Sequence, residues 1–158
     1  MKLYFLRHAD ALPGEDDAVR PLSPLGRKQS RKLGRFLRKA GIEFDAAYSS
    51  PLVRAHQTAD IVLKTLNSLP VRKLQITDAL LNETSQAQFD QWLDGLQKAD
   101  RVLLVGHAPT MDERICHLLG VNRGDRLRLP KGALVCLETD DCRAASLKFF
   151  VTPKLLGI

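Results

Sequence analysis

The sequence predicts an α/β fold: a three-layer sandwich in which a mainly parallel sheet is covered by helices on both faces. Three observations predict it. Strand-like and helix-like segments alternate along the 158 residues, the pattern of parallel-sheet domains. The runs Leu3-Tyr4-Phe5-Leu6 and Val102-Leu103-Leu104-Val105 show no polar alternation, as strands covered on both faces require. Helix-start signals follow the strand-like segments, at Ser23-Pro24, Ser50-Pro51, Ser85 with Gln88, and Thr110 with Glu113. A chain of this length is expected to form one domain, residues 1–158, burying roughly 70% of its unfolded surface.

In chain order, residues 3–6 form the first strand, and Arg7 and His8 stand at its C-terminal end. In open α/β sheets that edge is where ligands bind, so the two are a functional pair or a strand terminus reaching water. Residues 9–22 carry Pro13, Gly14, Pro21 and the acids Glu15, Asp16 and Asp17, and read as a loop. Ser23 caps a helix to about Ala40, with Leu25, Leu33, Phe36, Leu37 and Ala40 on its inward face and Gly41 as its stop. Residues 46–49 are a second strand. The helix after Ser50-Pro51 carries the stripe Leu52, Ala55, Ala59, Val62 and Leu66. A weaker strand lies within residues 69–76. Ser85 opens a helix with Phe89, Trp92, Leu93 and Leu96 inward. Residues 102–105 lead through Gly106-His107 into a helix with Met111, Ile115, Leu118 and Leu119 inward, ending at Gly120; residues 132–138 and 144–151 form a closing hairpin.

Composition narrows the function classes. No apolar run approaches the ~20 residues of a membrane helix, and the opening run is too short for a signal peptide, so a cytoplasmic protein is expected. The 3 cysteines, Cys116, Cys136 and Cys142, show no C-x-x-C spacing and indicate neither a disulfide framework nor a zinc site. The net charge of +6 is concentrated in residues 24–40, where Arg27, Lys28, Arg31, Lys32, Arg35, Arg38 and Lys39 meet no acid. With no interleaved aromatic platform, nucleic acid is disfavoured and a solvated face is the reading we take, a docking surface for something anionic being the alternative. No glycine-rich nucleotide loop follows any strand.

Parallel strands put three polar strand ends on one edge: Arg7 and His8; Ser49 and Ser50 with Arg54 in the first turn of the following helix; and His107. Arginine forks match phosphate oxygens, and a helix N-terminus attracts anions. A divalent cation would be repelled by each arginine by roughly 8 kcal/mol at ~4 Å and an effective dielectric near 20, so no metal and no cofactor is expected. The constellation suits a phosphoryl group.

These residues resemble known signatures. Leu6-Arg7-His8-Ala9 resembles the Arg-His-Gly signature of the histidine phosphatase superfamily, which includes the phosphoglycerate mutases. Residues Ser49-Ser50-Pro51-Leu52, Arg54-Ala55 and Gln57-Thr58-Ala59 resemble the second, and Val105-Gly106-His107 with Pro109 the third. Length and the run Arg20-Pro21-Leu22-Ser23 with Gly26 are most similar to the small phosphohistidine phosphatases of the SixA type.

The resemblance implies a phosphoglycerate mutase-like fold and a phosphatase in which His8 is the nucleophile and Arg7, Arg54 and His107 bind the transferred oxygens. Its substrate would be a phosphorylated protein or a small phosphorylated molecule. The signature glycine is Ala9 here. Glu83, in Leu81-Asn82-Glu83, stands where larger members carry a general acid; it is that acid or a solvated loop carboxylate. Arg20 joins the phosphate rim or pairs with Glu15 to Asp17. His56 and His117 fall off their apolar stripes and are set aside. A small-molecule phosphoesterase or mutase of the same superfamily is the alternative, although mutases carry longer insertions; a non-catalytic phosphate-binding module is disfavoured by the retained His8.

Overall fold

The computed structural model describes residues 1–67, 74–96, 98–122 and 127–158. Their elements are β1 (Lys2–Arg7), α1 (Pro24–Lys39), β2 (Ala46–Ser49), α2 (Val53–Leu66), β3 (Leu74–Ile76), α3 (Gln86–Asp94), β4 (Arg101–Gly106), α4 (Thr110–Leu118), β5 (Leu134–Thr139) and β6 (Ala145–Val151). The sheet has 6 strands in the order β3-β2-β4-β1-β5-β6. The first four in that order are parallel, and β5 and β6 are added antiparallel. The α/β sandwich is therefore observed; of the weaker strand, residues 69–73 lie outside the described residues.

Alternation along the two uninterrupted apolar runs builds two cores. Tyr4, Leu6, Leu103 and Val105 face α1 and α2, packing with Leu33, Leu37, Ala59 and Val62. Leu3, Phe5, Val102 and Leu104 face the other way, against Phe89, Leu93, Met111 and Ile115. A strand whose both faces are buried needs no polar residue until it ends, which is why the first ionisable groups arrive together at the C-terminal edge.

Ser23 caps α1 as expected, accepting from the Gly26 amide. The inward face of α1 is nonetheless not the one the bulky residues suggest. Leu25 and Phe36 are exposed, as is Ala40, and the buried residues are Gly26, Ser30, Leu33, Gly34 and Leu37. Close approach is the reason: a Cβ on Gly34 would lie 2.6 Å from Thr65 Cβ of α2, and one on Gly26 would lie 1.9 Å from the Asp10 carbonyl oxygen. Small residues thus set the distance between α1 and the loop that follows His8. Gly26→Ala is expected to displace that loop, lowering stability by about 1–3 kcal/mol in urea denaturation and reducing turnover with it.

Two other cap expectations are corrected. The N-cap of α2 is Leu52, with no side-chain bond, because the Ser50 hydroxyl is engaged elsewhere. The N-cap of α4 is Pro109, also without a side-chain bond; the Thr110 hydroxyl instead bonds Asn82 Oδ1 and the His107 carbonyl. The capping box of Ser85 and Gln88 is present. On α1, Arg27, Lys28, Arg31, Arg35, Arg38 and Lys39 are exposed, and among the described residues no acid pairs with them, which suits a solvated face and an anionic docking surface alike. Among the described residues no helix is long and apolar enough to cross a membrane.

Candidate active site

Sheet register brings the three strand ends together. Arg7 pairs with Gly106 and Ser49 with Val105, the His8 amide donates to the Gly106 carbonyl at 3.0 Å, and the Ser50 amide donates to the Val105 carbonyl at 3.0 Å. His8 and His107 are 6% and 3% exposed, with ring centroids 5.1 Å apart. Arg54, in the first turn of α2, leans back over this edge and donates from Nε to His8 Nε2 at 3.4 Å.

Each side chain is held by named partners. His8 Nδ1 lies 2.8 Å from the Ala9 carbonyl, so it carries the proton and donates it there, leaving the Nε2 lone pair for the pocket. Ala9 is fully buried, and its amide donates to Thr58 Oγ1. The non-glycine residues at positive φ are Asn67 and Cys142 among the described residues, so alanine fits the signature's glycine position without backbone strain. Arg7 Nη1 donates to the Leu129 carbonyl at 2.7 Å, while Arg7 Nε is buried with no partner among the described residues. His107 Nδ1 is in the same condition, and its Nε2 lies 2.6 Å from the Ser50 hydroxyl. Buried unpaired polar atoms are costly in a native fold and are completed by a ligand or by ordered water.

For Arg20 the pairing alternative is the one observed. Arg20 does not stand free beside His8: it donates from Nε and Nη2 to Asp17 Oδ1, at 2.9 and 2.7 Å. Asp17 in turn takes Arg54, through its carbonyl from Nη1 at 2.7 Å and through Oδ2 from Nη2 at 2.9 Å. Hydrogen bonds from Arg20 and then Arg54 hold the Asp17 carboxyl below its ordinary range. Glu83 is exposed on a turn whose neighbour Asn82 donates to the Ala108 carbonyl at 3.1 Å, so the turn is tied to the segment after His107. Asp10 is a loop anchor, bonded to Ser23 and Lys131. His56 is exposed and His117 lies beside Asp90, away from these groups.

Sequence reasoning missed Asp17 as a partner of Arg54 and Ser50 as a partner of His107. It also missed Asp112, which is 7% exposed and accepts from the Leu129 amide, thereby bracing the segment that holds Arg7. Thr58 had a signal, since it belongs to the second signature. Asp17 had none, because loop residues reach a site only through the path of the loop.

Electrostatics favour neutral imidazoles and an anionic guest. Burial first, then the charges of Arg54 and Arg7, lowers His8 from 6.5 to about 4. Burial, then His8 and Arg54, lowers His107 to about 3. Between those values and the ordinary 6.5 the unfolded chain binds more protons than the folded one, so stability rises with pH. The contribution of both histidines is complete above about pH 6.5 and is lost as pH falls toward about 3. Urea midpoints are expected to drop between pH 7 and pH 4, and the drop to shrink in a His8→Asn, His107→Gln double variant.

Comparisons with known proteins identify the family and the fold. The sequence model of the histidine phosphatase superfamily (branch 1) matches residues 3–91. An uncharacterized protein of Picosynechococcus sp. is 31% identical over 149 residues, covering 90% of this chain and 88% of that protein. The structure of the protein histidine phosphatase SixA complexed with tungstate superposes with a TM-score of 0.90 at 24% identity, covering 99% of both chains. A structure described as the putative phosphohistidine phosphatase SixA from Nakamurella multipartitia gives 0.79 at 26% identity, covering 96% of this chain and 95% of that one.

Proposed function

The chain belongs to the histidine phosphatase superfamily (branch 1), and from that premise we propose that it is a metal-independent phosphatase acting through a phosphohistidine intermediate on His8. The observation that carries this reading is the state of His8. Its Nδ1 proton is committed to the Ala9 carbonyl, and its Nε2 lone pair sits 3.4 Å from Arg54 Nε, with both residues buried. A neutral imidazole nitrogen is a competent nucleophile near pH 7, and burial with the flanking cations keeps it neutral.

In the first step His8 Nε2 attacks phosphorus as the bond to the leaving group breaks. Arg7, Arg54 and His107 bind the equatorial oxygens, where most of the stabilisation of phosphoryl transfer resides. In the second step water attacks the phosphorus and the P–Nε2 bond breaks. Inorganic phosphate is released, and His8 is regenerated. With two fixed arginine charges at the pocket, no divalent cation is needed to neutralise the developing charge, and one would be repelled.

The preferred substrate in this reading is phosphohistidine on a protein. Support comes from Glu83, which is exposed and makes no hydrogen bond among the described residues, so it is not held in place as a general acid. An alkoxide leaving a phosphate ester needs a proton delivered to the reacting oxygen, whereas imidazole leaves a phosphohistidine as a neutral base once its other ring nitrogen carries a proton, which solvent supplies near the ordinary imidazole pKa of about 6.5. The SixA neighbours supply further support: one is named a protein histidine phosphatase and holds tungstate, an oxyanion, and the other is named a putative phosphohistidine phosphatase.

Release of phosphate from phosphohistidine peptides and from simple phosphoesters tests the substrate. Higher kcat/KM for phosphohistidine is expected; a clear preference for an ester would replace this reading with that of a small-molecule phosphoesterase. Glu83→Gln is expected to lower either activity by less than about 3-fold, and a loss of about 10²-fold on an ester would make Glu83 the general acid and overturn the argument from the leaving group.

A further inference from the structure

We propose that Ser50 is a positioning residue that holds His107 as the neutral Nδ1–H tautomer, so that His107 serves as a hydrogen-bond donor to the phosphoryl oxygens. The inference rests on the proposed phosphatase reading for its kinetic consequence. Its structural part, the tautomer, stands without it.

Ser50 is fully buried at the end of β2, with its amide donating to the Val105 carbonyl and its own carbonyl accepting from Ser49 Oγ. Its hydroxyl has one partner among the described residues, His107 Nε2 at 2.6 Å. Either group could donate across that contact. If His107 donated from Nε2, the Ser50 hydroxyl proton would be left with no acceptor, and the Nδ1 lone pair would also stand unpaired. If the Ser50 hydroxyl donates, its proton is placed and only the Nδ1–H remains without a partner. A buried unsatisfied donor costs about 1–3 kcal/mol, so the second arrangement is favoured, and it leaves a donor where a phosphoryl group would supply an acceptor.

The consequence is a division of labour between two histidines in the same tautomer. His8 is anchored through Nδ1–H to the Ala9 carbonyl and presents the Nε2 lone pair. His107 is anchored through Nε2 to Ser50 and presents Nδ1–H, which together with Arg7 Nε makes up the pair of buried unpartnered polar atoms in the pocket. One ring is the nucleophile and the other binds oxygen, with no need for His107 to carry a charge. The residue that orients the far nitrogen of a histidine sets which proton it carries, the role usually filled by a carboxylate or a carbonyl. A hydroxyl here adds no negative charge, so it sets the tautomer without attracting a second proton to the ring.

Nitrogen-15 NMR of the histidine rings at pH 7 tests the tautomer directly, with His107 assigned by its loss in His107→Asn. Wild type is expected to show a protonated Nδ1 and an unprotonated Nε2 at His107. Ser50→Ala should lose that bias and lower kcat on phosphohistidine by about 10²-fold, with a smaller change in KM, while Ser50→Thr, which keeps the hydroxyl, should restore both the spectrum and most of kcat. A protonated Nε2 in wild type, or a Ser50→Ala protein with an unchanged tautomer and kcat within about 2-fold, would overturn the proposal. Thermal unfolding of each variant separates a packing defect from a tautomer effect: kcat lost in proportion to stability, and not recovered in Ser50→Thr, also counts against it. If wild type lacked phosphatase activity but showed the expected ring state, the phosphatase reading would fail and the tautomer assignment would stand.

Discussion

His8→Asn is expected to lower phosphate release by at least about 10⁴-fold, equivalent to ~5.5 kcal/mol of transition-state stabilisation, while leaving the fold intact. The substitution is chosen on the geometry. An asparagine amide can still donate to the Ala9 carbonyl, which His8 Nδ1 reaches at 2.8 Å, so the backbone after β1 keeps its anchor. What disappears is the Nε2 lone pair. Wild type incubated with a labelled phosphohistidine donor should carry an acid-labile, base-stable phosphoryl group, and the variant should carry none. Residual activity above about 1% of wild type, or label retained in the variant, would remove His8 from the centre of the chemistry. The variant should also lose less stability than wild type between pH 6.5 and pH 4, because it lacks a buried imidazole lowered to about 4.

Arg54→Ala is expected to cost about 10³-fold in kcat/KM, most of it in kcat, since the guanidinium serves the charge that develops during transfer. Arg54 is 6% exposed and donates from Nε to His8 Nε2, from Nη1 to the Asp17 carbonyl and from Nη2 to the Asp17 carboxylate, which leaves the second N–H of Nη1 and of Nη2 for phosphoryl oxygens. Lysine cannot replace it, because one ammonium lacks the fork that spans these partners, so Arg54→Lys should recover less than a tenth of the loss. A second readout follows from charge. Arg54 lowers the proton affinity of His8, so its removal should move the acidic limb of kcat/KM to higher pH, the nucleophile being protonated sooner as pH falls. Loss of the arginine should hardly alter stability: its acidic partner Asp17 is 64% exposed and keeps Arg20. An Arg54→Ala enzyme with kcat within about 10-fold of wild type would show that Arg7 and His107 suffice.

The structure also changes how Arg20 and the acidic loop are understood. From the sequence, Arg20 could serve the phosphate rim or pair with an acid, and it pairs with Asp17. Asp17 then links it to Arg54, so a loop of exposed acids steadies the far edge of the guanidinium. An exposed ion pair of this kind contributes little to stability, and its value lies in orientation.

Much of the architecture was legible in the chain because its signals are local or periodic. Uninterrupted apolar runs at residues 3–6 and 102–105 announced strands buried on both faces, and the arginine and histidines that end them announced the edge where the site lies. Ser23 and Ser85 worked as caps because nothing competed for their hydroxyls. Ser50 carries the same serine-proline signal and fails as a cap, since parallel pairing of β2 with β4 sets it beside His107, a partner 57 residues away. The inward face of α1 was misjudged for a related reason. Hydrophobicity identifies what leaves water, but Gly26 and Gly34 are buried because backbones approach there, and closeness is a property of two elements at once. The sequence by itself determined the strands, their order of polar endings and the residue types that a phosphoryl group needs. Only the tertiary structure decided which acid holds Arg54 and which serine holds His107, because those bonds join groups that the path of the loop after β1 and the sheet register, and not nearness in the chain, bring within 3 Å or so of one another.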